Sequence, residues 1–186
     1  MIKTGEEKMD NNKEEMLWEK CAAFHGHVCG GLAIGFKAAL YALELLEAGR
    51  AEDEEIVCVS ENDACGVDAV QVLTGCTVGK GNLMFHLTGK QAFNFYERKS
   101  GRSYRLVLRP YQSNSREESL KHLRYSDYHD LFDVQPTRIE LPQMARIFQS
   151  VICDGCGEKT AENHIHLENG KKLCPDCYQK YTRPLI

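Results

Sequence analysis

Four cysteines near the C-terminus constrain this 186-residue chain more than any other feature. Cys153-Asp154-Gly155-Cys156 and Cys174-Pro175-Asp176-Cys177 are two Cys-x-x-Cys knuckles separated by residues 157–173. That spacing suits one tetrahedral zinc ion held by four thiolates, because two intervening residues let both sulfurs of a knuckle reach the same ion. Residues 149–186 are too few to bury a core of their own. Metal ligation therefore has to supply the folding free energy, on the order of 10 kcal/mol or more in such segments. Gly155 and Gly157 permit a tight turn, and Glu168-Asn169-Gly170-Lys171 offers a hairpin tip between the knuckles. A redox pair or two structural disulfides explain a double knuckle poorly. His164 and His166 read as hairpin-face residues beside a shell that four thiolates already close. Five bases and five acids balance in this segment, so it has no electrostatic footprint for nucleic acid. Docking of a protein partner, or plain stapling, is the expected role.

Nine cysteines in a chain with no secretion signal argue for metal or thiol chemistry over a disulfide framework. Met1 to Trp18 is polar and charged, and no apolar run approaches the roughly 18 residues of a spanning helix. A cytoplasmic protein without membrane contact is expected. The formal net charge is -4, which makes a general nucleic-acid coat unlikely as a function class. Charge is segregated, however. Residues 44–68 carry nine acids and one base, and residues 98–124 carry eight bases and two acids. Two faces of one domain that offset each other, a complementary homodimer contact, and a groove for an acidic ligand all fit this pattern; a homodimer is the expectation adopted.

Periodicity predicts helices around Asp10 to Ala23 and Gly31 to Ala48, the second ended by Gly49. A buried strand over Ile56 to Val59 and a short helix from Cys65 to Leu73 follow. From Asn82 the period becomes two, giving strands at Leu83–Leu87, Ala92–Arg98 and Tyr104–Leu108 that read as an antiparallel meander. Ser115 with Glu118 forms a capping box, and Ser126 or Asp127 starts a shorter helix. The expected architecture is α+β: helices packed on an antiparallel sheet over residues 1–148, with a small four-cysteine zinc finger over 149–186.

Two clusters in the core segment carry chemistry. Phe24-His25-Gly26-His27-Val28-Cys29-Gly30-Gly31 puts two imidazoles and a thiol at the mouth of the second helix, donors that suit zinc, nickel or iron. In an extended loop His25 and His27 point the same way. Cys29 at the start of the second helix and Cys65 at the start of the third both stand at helix N-termini, where the dipole lowers a thiol pKa. His25, His27, Cys29 and Cys65 are thus candidate ligands of a second, core metal, with Cys76 near enough to tune the site. In an enzyme His25 or His27 would be ligand or base, and Cys65 ligand or nucleophile. The loop Gly75-Cys76-Thr77-Val78-Gly79-Lys80-Gly81 is a candidate cradle for a small anionic molecule, through Gly75, Thr77, Gly79, Lys80 and Gly81. It is not a Walker A motif. A plain turn is the alternative. Cys21 and Cys58 read as core residues.

The runs Phe24-His25-Gly26-His27-x-Cys29-x-Gly31-Leu32-x-x-Gly35 and Cys65-x-x-Asp68-Ala69-x-Gln71-x-Leu73-Thr74-Gly75-Cys76-Thr77-x-Gly79-Lys80-Gly81-Asn82-Leu83 closely resemble the E-subunit family of formylmethanofuran dehydrogenase. Longer members look similar through a C-terminal zinc finger of treble-clef type, so the resemblance covers nearly the whole chain. Gly30 departs from the family's usual proline and loosens the loop without removing a ligand. The resemblance implies a protein accompanying a molybdenum or tungsten enzyme of one-carbon metabolism rather than its catalytic subunit. A non-catalytic interaction module with structural cysteines is the competing class.

Overall fold

The computed structural model describes residues 11–180. They divide into two units, one ending at Ala145 and the other beginning at Arg146. No helix among the described residues is long and apolar enough to cross a membrane.

In the first unit, α1 (Asn11–His25) turns Trp18 and Cys21 into the core at helical spacing and stops at Gly26, whose φ of 87° no β-carbon residue adopts comfortably. The second helix, α2 (Gly30–Leu46), is apolar nearly all round and is wrapped by α1, the sheet and the later helices. It ends not at Gly49 but at Glu47, which takes the left-handed conformation (φ 50°) while its N–H and that of Ala48 close onto Leu43 and Glu44 carbonyls. Strand β1 (Ile56–Ser60) is buried along its whole length, and α3 (Gly66–Thr74) follows it, capped by Gly75 at φ 77°.

β2 (Leu83–Phe85), β3 (Ala92–Glu97), β4 (Ser103–Leu108) and β5 (Phe132–Gln135) complete a five-stranded sheet in the order β2-β1-β3-β4-β5. Helices on a largely antiparallel sheet are as expected, but the simple meander is not. β1 inserts between β2 and β3, and β2 runs parallel to it, Cys58 opposite Leu83, after a crossover through α3. Burial explains the insertion: a strand with both faces covered belongs at the sheet's centre. β5 was not expected; Phe132 anchors it opposite Leu108. The helices α4 (Arg116–Tyr125) and α5 (Tyr128–Leu131) are capped by Ser115 and Asp127, and the Ser115 hydroxyl accepts from Glu118 N at 3.1 Å.

One face of the sheet, with Ile56, Cys58, Phe93, Phe95 and Leu106, packs on the helices. The other, with Val57, Val59 and Tyr96, is covered by the irregular stretch 136–145, to which Tyr96 Oη donates at Ile139 O (2.6 Å) and Arg98 at Pro142 O (2.9 Å). Here the two charged segments meet within the chain. Arg102 pairs with Glu47 at 2.8 Å, Arg98 lies 3.7 Å from Glu54, and the buried Arg105 grips Glu61 through two N–H donors. Part of the complementary charge, three acids and three bases, is thereby paired inside one domain.

The second unit is built from two hairpins, β6 (Ser150–Ile152) with β7 (Lys159–Ala161) and β8 (His166–Glu168) with β9 (Lys171–Leu173). A 3-10 turn, Glu162–His164, joins them. Asn169 and Gly170, at φ 51° and 78°, form the second hairpin's tip at the expected place. His166 stacks on Tyr178 with ring centroids 4.3 Å apart. Any treble-clef helix after the second knuckle would run into residues 181–186, outside those described.

Candidate metal centres

The first knuckle sits in the β6–β7 turn and the second follows β9, so each hairpin delivers one pair of thiols. All four sulfurs of Cys153, Cys156, Cys174 and Cys177 lie within 4.8 Å of one another, Cys156 and Cys174 at 3.9 Å. Sulfurs on a tetrahedral zinc with bonds of about 2.3 Å stand about 3.7 Å apart. Gly155 makes the approach possible, since a β-carbon there would stand 2.8 Å from the Cys177 side chain. Backbone N–H groups, first that of Cys174 and then that of Cys156, hold the Cys153 thiol down to about 6. Its neighbours Cys174, Cys153 and Cys156 push Cys177 up to about 12. Four crowded thiols cannot all ionise without a cation to share, which is the chemistry a structural zinc supplies.

The second cluster is assembled from two places in the sequence, residues 25–29 and Cys65. His25 is the last residue of α1, not part of an extended loop; the chain turns at Gly26, and His27 comes back so that the two rings lie 4.3 Å apart. Cys29 is the N-cap of α2, its sulfur accepting from Leu32 N at 3.3 Å. Cys65 precedes α3 and makes no capping bond; its sulfur interacts with its own backbone N–H and with the Cys29 side chain. One donor atom from each of His25, His27, Cys29 and Cys65 falls within a 4.8 Å cluster.

Glycines decide how closely α2 and α3 approach. A β-carbon on Gly35 would lie 1.9 Å from the Gly66 carbonyl oxygen, and one on Gly31 would lie 3.1 Å from Cys65 Cβ. The glycines of the two motifs therefore set Cys65 over the start of α2, beside Cys29. The expected lowering of the Cys65 thiol is not found. Burial pushes it up, and the neighbouring Cys29 adds to the effect.

Two residues not picked out as ligands complete the arrangement. Asp68 Oδ2 lies 2.7 Å from His25 Nδ1, and Asp68 Oδ1 accepts from Gln71 at 3.2 Å. This leaves His25 Nε2 facing Cys29 Sγ at 3.9 Å. A carboxylate behind the distal ring nitrogen is the usual way a metal-binding histidine is oriented. Its only trace in the sequence is a carboxylate three residues beyond Cys65, in the first turn of a short helix. An open cleft of about 1090 Å³ runs past His27, Cys29 and Cys65 to Tyr111, Asn114 and Arg116 at the start of α4.

The glycine-rich loop takes another role. Lys80 Nζ donates to the carbonyls of Glu52 (3.2 Å) and Asp53 (3.0 Å), Thr77 N to the Asn82 side chain, and Gly81 N to Val78 O. Gly75, Thr77, Gly79, Lys80 and Gly81 do not line the cleft. These donors are engaged within the protein in a turn that fixes the approach to β1, in place of the expected anion cradle. Cys76 is also outside the cluster: fully buried, it donates to Ile56 O at 3.3 Å. Cys21 and Cys58 are core residues, as expected.

A family model described as FmdE, molybdenum formylmethanofuran dehydrogenase operon, matches residues 24–147, a span that holds all four donors of the core cluster. The chain belongs to this family. A second model, the prokaryotic dksA/traR C4-type zinc finger, matches residues 146–183, so the cysteine quartet is a C4 zinc finger appended to an FmdE domain. An FmdE-like protein from Syntrophus aciditrophicus, described as resembling the E-subunit of a tungsten formylmethanofuran dehydrogenase, has a similar crystal structure. Its TM-score is 0.67 at 27% identity, over 88% of this chain and 91% of that one. A probable S-adenosyl-L-methionine-binding protein from Archaeoglobus fulgidus is 27% identical over 95% of this chain. This chain spans 56% of that relative's length.

Proposed function

We propose that the FmdE domain, residues 1–148, holds a transition metal through His25 Nε2, Cys29, Cys65 and His27, and presents it to a small anionic molecule in the adjoining cleft. The observation that carries this reading is the Asp68–His25 hydrogen bond, which directs the free imidazole nitrogen at the two thiols. Two nitrogens and two sulfurs suit zinc, and nickel or iron accept the same donors. His27 is the exposed member of the set and the one that a water or ligand would replace, leaving three protein ligands and an open position. Arg116, on the cleft's far wall, supplies the positive charge for an anion. In this reading the protein serves one-carbon or molybdenum-linked metabolism as an accessory, and the finger, residues 149–186, docks a partner: another component of a dehydrogenase complex or a second copy of the chain. A purely structural cysteine cluster in an interaction module is the alternative.

The name of the Archaeoglobus relative adds S-adenosyl-L-methionine to the ligands worth testing, beside formate as a minimal one-carbon anion. Cobalt-loaded full-length protein, titrated with each, should show thiolate-to-cobalt absorption that shifts on ligand addition and does not shift in Arg116→Ala. Absorption that neither ligand moves would rule out a ligand-accepting site for these two.

A further inference from the structure

Of the five cysteines in the FmdE domain, Cys21, Cys58 and Cys76 are fully buried, whereas Cys29 and Cys65 line the open cleft. Their two sulfurs belong to one 4.8 Å cluster, and both stand over Gly31, 3.8 and 3.6 Å from the point a β-carbon there would occupy. A side chain at position 31 would crowd both of them. Neither sulfur is held by a short bond: Cys65 Sγ makes no capping bond and interacts with the Cys29 side chain, and Cys29 Sγ has only long contacts, from Leu32 N at 3.3 Å and with His25 Nε2 at 3.9 Å. A disulfide needs about 2.05 Å between sulfurs, a closure within reach of side-chain rotation at a glycine-cleared contact.

We propose that Cys29 and Cys65 form a reversible disulfide when a peroxide enters the cleft, and that this oxidation dismantles the core metal site. The proposal rests on the metal reading above and extends it to regulation. In the reaction each thiol gives up a proton and an electron, the S–S bond forms, and the O–O bond of hydrogen peroxide breaks to yield two waters. From metal-bound thiolates the two protons come from solvent and the ion leaves, because a disulfide sulfur is a far weaker ligand than a thiolate. His25 and His27 alone then remain, too few for a stable site. A dithiol such as dithiothreitol reverses the step by exchange. Cys58 and Cys76 provide an internal control, since they too are neighbours but lie sealed in the core.

The test uses the full chain, with bound ions counted before and after a stoichiometric dose of hydrogen peroxide and cysteine pairs mapped by tandem mass spectrometry. The expected result is a peptide pair linked through Cys29 and Cys65, loss of one ion per chain, and recovery of both thiols with dithiothreitol. Cys29→Ser and Cys65→Ser should each abolish that link and leave Cys58 and Cys76 reduced. Sulfinic acid at Cys65 without a link, or a link confined to Cys58 and Cys76 or to the finger cysteines, would overturn the proposal even where the core ion is present. A Cys29–Cys65 link in protein that held no core ion beforehand would instead overturn the metal reading and, with it, the claim that oxidation releases an ion.

Discussion

At the scale of single residues, Gly35 and Asp68 decide whether the core cluster exists. Gly35 has an ordinary helical φ, so its requirement is purely one of space: a methyl group there meets the Gly66 carbonyl at 1.9 Å. Gly35→Ala must therefore push α3 off α2, and Cys65 moves with it. The expected outcome is a destabilisation of about 1–3 kcal/mol, as for overpacked cores, read as a lower urea midpoint, together with weaker binding of the core ion. Asp68 acts through His25. Asp68→Asn keeps the shape but loses the charge that orients the imidazole, and core-metal affinity should fall about 10–100-fold by chelator competition, with finger zinc unaffected. Cys29, Cys65, His25 and His27 were legible in the sequence because glycine-flanked soft donors stand out locally. Asp68 as the partner of His25 was not, since 43 residues separate them and only the α1–α3 packing brings them together. Lys80 misled for the converse reason: its position in a glycine-rich loop suggested an anion, but backbone carbonyls from the preceding acidic turn capture its ammonium.

Among the secondary-structure elements, helix limits were largely legible, and sheet order was not. Capping chemistry is local, and Ser115 and Asp127 do what their neighbours imply. Strand order depends on which strand is covered on both faces, and a period-two pattern does not report that. The end of β1 is fixed by Glu61, whose carboxylate accepts two N–H donors from Arg105, one N–H from the Asn94 amide and the Thr88 hydroxyl. Four residues later the chain reaches Cys65, so this clamp holds the root of the loop that carries it. Hydrogen bonds from Arg105 hold the Glu61 carboxyl down to about 2, against the opposing effect of burial. A carboxyl whose pKa is lower in the folded than in the unfolded chain stabilises the fold above its unfolded value of about 4.3. That contribution should be lost as pH falls from about 5 towards 2. Glu61→Gln, which strands a buried guanidinium, should cost about 3–5 kcal/mol at pH 7 in urea unfolding, and the variant should lose less stability than the parent between pH 5 and 3.

For the whole molecule, two units carry two clusters of different kinds. The finger's four thiols come from two hairpins in one short segment, and its fold cannot be separated from its ion. The core cluster draws on α1, α2 and α3 of a domain with its own hydrophobic core, so that fold does not depend on an ion at the cluster. The C4 quartet was fully legible because its four members stand in two local pairs. The core site was legible only as a set of candidates. Whether that site holds an ion is decided by the metal content, by plasma mass spectrometry, of the parent chain, the Cys65→Ser/His27→Ala double variant and Cys174→Ser. Two ions per parent chain and one in each variant are expected, with Cys174→Ser keeping the core ion. Equal metal content in the parent and the double variant would contradict a core metal site.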